Sequence, residues 1–167
     1  MKSLFYFVFK KIAPIRYAKY IGVKLGKNCR LINVDFSSEP YLISMGDHVS
    51  ATATRFETHD GGVWVLRELG EPKIDIVKPI KIGNNVFIGY GAIIMPGVVI
   101  GDNVVIGAKS LVSRDIPSNS VAVGTPARVI KTIEDYRLNS ESIGDLTKGL
   151  SRLEKEKFYK NKYKDLL

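Results

Sequence analysis

Two histidines, His48 and His59, are the only imidazoles in the 167 residues, and they sit in different settings. His59 lies in Phe56-Glu-Thr-His-Asp-Gly-Gly, where Asp60, Gly61 and Gly62 let the backbone swing outward. A neutral imidazole of ordinary pKa, about 6.5, takes a proton from a hydroxyl at physiological pH, so His59 is a candidate general base. On residue type alone, a solvated loop histidine is the competing assignment. His48, in Met45-Gly-Asp-His, holds the place that Asn85 and Asn103 hold in later segments and reads as a turn residue. Other chemistries lack their parts. A three-histidine zinc site needs one histidine more than the chain has, and no Cys or Asp/Glu group stands at metal-ligand spacing, so no metal is expected. There is no GxxxxGK[ST] for ATP. The single cysteine, Cys29, excludes a disulfide framework and reads as a small inward-facing residue.

The elements that must position His59 are legible in residues 82–117. These divide into six unbroken six-residue units: Ile82-Gly-Asn-Asn-Val-Phe, Ile88-Gly-Tyr-Gly-Ala-Ile, Ile94-Met-Pro-Gly-Val-Val, Ile100-Gly-Asp-Asn-Val-Val, Ile106-Gly-Ala-Lys-Ser-Leu and Val112-Ser-Arg-Asp-Ile-Pro. The first residue is always Ile or Val, and the fifth is Val86, Ala92, Val98, Val104, Ser110 or Ile116. Alternation across each boundary, as in Val86-x-Ile88, is a strand with one buried face. The Gly, Asn, Asp or Ser that follows makes the chain turn. Each unit is one short strand and one corner. Three such edges close a triangular coil of about 18 residues, and coils stack at a strand spacing of roughly 4.8 Å. A period of six does not fit a helix, and the strands of a β-sandwich do not repeat every six residues.

Upstream, Leu25-Gly-Lys-Asn-Cys-Arg fits the pattern, and Met45-Gly-Asp-His-Val-Ser and Ala51-Thr-Ala-Thr-Arg-Phe fit it in an offset register. Residues 31–44 are irregular, and residues 60–79 interrupt the pattern fully. Beyond Pro117 the units decay through Val121-Ala-Val-Gly-Thr-Pro into Arg128-Val-Ile-Lys. The expectation is four to five coils with an insertion that begins beside His59. The sixth residues, Phe87, Ile93, Val99, Val105 and Leu111, face outward and are too apolar for solvent if they form one face, which calls for a partner surface.

Three segments follow: a helical cap over 1–24, broken near Pro14 and ending at Gly22; the repeat domain over 25–131; and a mostly helical segment over 132–167. No run approaches 18 consecutive apolar residues, so no transmembrane span is predicted. Leu4–Phe9 is too short and lacks the cleavage site of a signal peptide, and the cytoplasm is the expected compartment. The net charge of +8 is uneven, with eight basic and no acidic residues in 1–30. This basic, aromatic flank fits either a cap with its lysines in solvent or contact with an anionic inner-membrane surface. It lacks the aromatic–basic interleaving of a nucleic-acid module, so no nucleic-acid partner is expected.

The run from Lys81 to Lys131, especially IGNNVFIGYGAIIMPGVVIGDNVVIGAKSLVSRDIPSNSVAVGTPARVI within it, resembles the hexapeptide-repeat acyltransferases, closest to the sugar O-acetyltransferases of the galactoside and maltose acetyltransferase branch. The resemblance covers about 25–131. It implies an all-β core in the form of a left-handed parallel β-helix with helical segments at both ends, a homotrimer, and acetyl-CoA as co-substrate. Handedness and trimer come from the resemblance alone, since general crossover rules favour the opposite hand. The family's catalytic histidine precedes an inserted loop and an IGNNVWIG hexad, and His59 matches that place, with Phe87 standing where many relatives carry Trp. By resemblance the CoA contacts fall on Tyr90, Ala108, Ser113, Arg114, Arg128 and Lys131. Tyr90 is bulkier than the small residue usual at its position. Arg128 and Lys131 suit the anionic phosphates.

An acidic group and an amide near the acceptor fall on Glu39 and Asn33, with Glu39 or Asp60 available to fix the tautomer of His59. The loop 60–79 resembles that of polysaccharide-linked members, and its Trp64 and Arg67 suit a sugar face, although a buried anchoring role for Trp64 fits equally. The chain is thus expected to be an acetyl-CoA-dependent O-acetyltransferase acting on a saccharide hydroxyl in capsule, O-antigen or other surface-polysaccharide assembly. N-acetylation of an amino sugar and a non-catalytic β-helix scaffold are the alternatives.

Overall fold

The computed structural model describes residues 2–166. They form two compact units, divided between Tyr136 and Arg137. The first opens with α1 (Lys2–Ile12) and α2 (Pro14–Tyr20), divided at Pro14 as the sequence requires. Gly22 turns the chain at a left-handed φ of 103°, which only glycine adopts without strain. Three coils follow as β1 (Lys24–Leu25), β2 (Arg30–Ile32), β3 (Asp35–Phe36), β4 (Ile43–Met45), β5 (Val49–Thr52), β6 (Arg55–Phe56), α3 (Val63–Glu68), β7 (Ile80–Ile82), β8 (Val86–Ile88) and β9 (Ile93–Ile94). Then come β10 (Val99–Ile100), β11 (Val104–Ile106), β12 (Leu111–Val112), β13 (Ser120–Gly124), β14 (Ala127–Thr132) and α4 (Ile133–Ile143). The second unit carries α5 (Arg152–Lys162), whose first turn is closed by a reciprocal Ser151–Glu154 capping box.

The strands stack into three parallel sheets that form the faces of a prism: β1-β4-β7-β10, β2-β5-β8-β11-β13 and β3-β6-β9-β12. Register tells where the coil is regular. Val86 pairs with Val104, a step of 18 residues. Arg30 pairs with Ser50, a step of 20, and Val49 pairs with Val86, a step of 37 that contains the loop. The inward ladder is as the hexads demand. Ile82, Ile88, Ile94, Ile100, Ile106 and Val112 are buried, and so are Val86, Ala92, Val98, Val104, Ser110 and Ile116.

Two regions differ from the sequence expectation. Residues 31–44 hold regular strands, with Leu31, Val34 and Ile43 in the core, and only the corner at Pro40–Leu42 is irregular. The last repeats do not simply decay, because β14 folds back antiparallel on β13 and covers the end of the second sheet. The outward sixth residues also do not form one face. Phe87 and Val105 lie on the second sheet, Ile93 and Leu111 on the third, and Val99 on the first.

The corner between first and second sheets explains His48. His48, Asn85, Asn103 and Asn119 all take left-handed φ, between 54° and 59°. Their side chains form a ladder, His48 Nδ1 to Asn85 Oδ1 at 2.8 Å, then Asn85 to Asn103 and Asn103 to Asn119 at 2.9 Å each. No helix among the described residues is long and apolar enough to cross a membrane.

Candidate active site

The corner that leads from the third sheet to the first is where the chain leaves the prism. Thr54, Phe56 and Thr58 alternate inward and are buried, so the strand pattern runs up to His59. There the two ends of the inserted loop pair. His59 bridges Val77 in antiparallel fashion, Asp60 N–H donates to Ile76 O at 2.9 Å, and Lys78 N–H donates to Thr58 O at 2.8 Å. The loop is therefore tied at its base, and the backbone of His59 is fixed.

Below it lies a chain of polar groups. Thr58 N–H donates to Ser37 Oγ at 2.8 Å, the two hydroxyl oxygens stand 2.5 Å apart, and the Thr58 hydroxyl donates to Glu39 Oε2 at 2.6 Å. The Thr58 proton is used on Glu39, so the Ser37 hydroxyl donates to Thr58. Glu39 Oε2 in turn faces His59 Nδ1 at 3.5 Å. That separation exceeds an ordinary N–H···O distance, and the buried Nδ1 makes no hydrogen bond. The His59 side chain is 35% exposed although Nδ1 is buried. A carboxylate on the Nδ1 side favours the tautomer protonated there and leaves the Nε2 lone pair free to accept a proton.

The other residues singled out from the sequence distribute over the prism as follows. Asp60 is exposed, and its Oδ1 accepts from Gly62 N–H at 2.9 Å, so its carboxylate closes the first turn of the loop while Glu39 faces the imidazole. Trp64 sits on α3 and is 70% exposed, with the Arg67 guanidinium 5.7 Å from its ring centre, so it is not a buried anchor. Ser113 and Arg114 are exposed and share the edge of His59, two coils further on.

Asn33, Tyr90 and Ala108 lie on a different edge, between the second and third sheets. Tyr90 is exposed there with Lys109 Nζ 5.3 Å from its ring centre. Arg128 is exposed on β14 and donates to Ala127 O at 2.9 Å, and Lys131 is half-buried on the same strand. Sequence reasoning missed Thr58, Ser37 and Lys109. The alternation Thr54-x-Phe56-x-Thr58 carries the signal for the first, whereas Ser37 falls in the stretch without visible register.

The family described as "Bacterial transferase hexapeptide (six repeats)" matches residues 79–114, the stretch from β7 to β12. Protein CapG of Staphylococcus aureus is 46% identical over 169 residues, which is 99% of this chain and 98% of the relative. A solved galactoside acetyltransferase in complex with coenzyme A is 30% identical, with a TM-score of 0.60 over 81% of this chain and 80% of that one. A hexapeptide-repeat-containing acetyltransferase of Vibrio cholerae, complexed with acetyl coenzyme A, is 31% identical, with a TM-score of 0.58. That match covers 66% of this chain and 60% of the Vibrio chain.

Proposed function

This chain belongs to the hexapeptide-repeat acetyltransferases, enzymes built on a left-handed parallel β-helix that use acetyl-CoA, and from that premise we propose that it acetylates a hydroxyl of a saccharide used in surface-polysaccharide assembly. The observation that carries the proposal is the arrangement of Thr58, Glu39 and His59 at the mouth of the loop. Acetyl-CoA supplies an activated acetyl thioester. The Glu39 carboxylate, 3.5 Å from Nδ1, favours through its charge the His59 tautomer that carries its proton there. His59 Nε2 accepts the proton of the acceptor hydroxyl, so that the oxygen is a nucleophile as it attacks the acetyl carbonyl carbon. The imidazolium then returns that proton to the departing sulfur, giving an acetyl ester and free CoA thiol.

The residues present fit a long anionic co-substrate. Tyr90 and Ala108 offer an open edge with Lys109 above it, and Arg128 and Lys131 supply cations on β14. That edge and His59 lie on different corners of one prism, so a thioester held along Tyr90 and Ala108 is best presented to His59 of another copy. Phe87 and Ile93, 45% and 39% exposed, flank the Tyr90 edge on its two faces. Both features favour a homotrimer with its sites between subunits. The same composite arrangement brings Asn33 of one copy toward His59 of the next. Trp64, with Arg67 over its ring, is the surface on which a sugar face stacks, and it stands on the loop tied at His59.

The test is CoA release from acetyl-CoA against a panel of sugars and nucleotide sugars paired with their amino counterparts. Release that requires a hydroxyl acceptor supports the proposal. Release with amino sugars only would replace it with N-acetylation.

A further inference from the structure

We propose that α1 is a docking helix whose outer face binds the surface of an anionic phospholipid bilayer. The two N-terminal helices do different work. α2 closes the end of the prism: Ala18 is fully buried, and Ile15 and Ile21 pack on the core cluster. α1 rests on α2 through its inner side, with the Phe9 ring 5.8 Å from those of Tyr17 and Tyr20, and Lys10 paired with Asp35. Capping accounts for α2 and for the inner side of α1. It leaves the outer side unexplained. There Phe7 is 58% exposed, Val8 43% and Ile12 79%, and Lys11 Nζ stands 5.1 Å from the Phe7 ring centre. Positions 7, 8, 11 and 12 share one arc of an α-helix.

Charge selects the occupant. Residues 1–30 hold eight Lys and Arg and no Asp or Glu. An anionic lipid surface attracts such a segment. A second copy docking through the same face would press two acid-free cationic segments together. The 11 residues of α1 extend about 16 Å, about half the roughly 30 Å hydrocarbon core, so the helix lies in the interface plane instead of spanning. Phe7, Val8 and Ile12 then enter the headgroup–acyl boundary, and Lys11 extends its stem along the apolar face to reach phosphate. This proposal stands apart from the acetyl-transfer reading and does not depend on which acceptor is used.

The experiment is co-sedimentation of the full chain with vesicles of phosphatidylcholine alone and of phosphatidylcholine with phosphatidylglycerol, at low and high ionic strength. Binding is expected to the phosphatidylglycerol vesicles, at least about tenfold tighter than to phosphatidylcholine and weakened by salt. The double variant Phe7→Ser/Ile12→Ser alters exposed side chains and should lose this binding while acetyl-CoA turnover stays at the wild-type level. Lys11→Glu should weaken binding by at least about fivefold, the factor that 1 kcal/mol represents. Equal binding to both vesicles, no binding to either, or unchanged binding by the double variant would overturn the proposal. Loss of a wild-type oligomer in the double variant, seen by light scattering, would reassign the face to self-association and sink the lipid reading.

Discussion

The later coils, from β8 to β12, and the earlier ones, from β2 to the loop, are built on the same ladder and differ in what interrupts it. Between Val86 and Ile116 every inward position is apolar except Ser110, and the paired coil steps are 18 residues until the last, Ile100 to Ile116, which is 16. The earlier coils take steps of 20 and 37 and place Thr54 and Thr58 inside among the aliphatic residues. The extra length is spent at one edge, first on the corner that carries Ser37 and Glu39 and then on the loop that begins after Thr58 and His59. The regular coils supply rigidity, and the irregular ones gather polar groups that the regular ones exclude. A buried polar residue costs stability unless it is hydrogen-bonded, and Thr58, fully buried, is bonded through both its N–H and its hydroxyl.

This contrast can be broken from either side. Ile106→Ala, in the middle of the regular ladder, should cost about 2–5 kcal/mol of unfolding free energy, as large-to-small core changes do, while the site edge keeps its own residues. Denaturant unfolding measures it, and a cost near zero would show that the ladder is not what holds the prism. Thr58→Val keeps the shape of the buried residue and removes the donor to Glu39. It should lower kcat about tenfold with little change in the KM for acetyl-CoA, in line with the loss of one hydrogen bond to a charged group. Thr58→Ser should restore kcat. A stability loss with unchanged kcat would make Thr58 a packing residue only.

Trp64→Ala should raise the acceptor KM severalfold, because stacking on one exposed ring contributes about 1 kcal/mol, and leave thermal stability near wild type, since the ring is 70% exposed. A drop in stability with an unchanged acceptor KM would contradict the sugar-stacking role. His48→Asn should be nearly silent, within about 0.5 kcal/mol, since asparagine continues the ladder that His48 begins.

The regular coils were legible because a strand of period two and a corner repeat every six residues, so Ile82 through Val112 announce their own burial. The strands in 31–44 were not. Their coil is two residues longer, and the corner at Pro40–Leu42 breaks the count on which the register depends. The β13–β14 hairpin was missed because Val121-Ala-Val-Gly looks like one more decaying unit, whereas the chain reverses at Gly124, where φ is 102°. His59 stood out by leaving the repeat. Its approach to Glu39 required knowing that 39 and 59 share one edge, and the placement of Asn33, Tyr90 and Ala108 on another edge required counting sheets. The pattern of a single hexad carries neither.

We propose that His59, with the Glu39 carboxylate beside its Nδ1, is the base. The most direct measurement is kcat for His59→Ala at saturating acetyl-CoA and acceptor, with acetyl-CoA affinity and oligomeric state recorded on the same preparation. Loss of a positioned base predicts a fall of at least about 10²-fold, with acetyl-CoA binding and assembly unchanged. A variant that keeps near-wild-type kcat would contradict the account and move the chemistry off this edge of the prism.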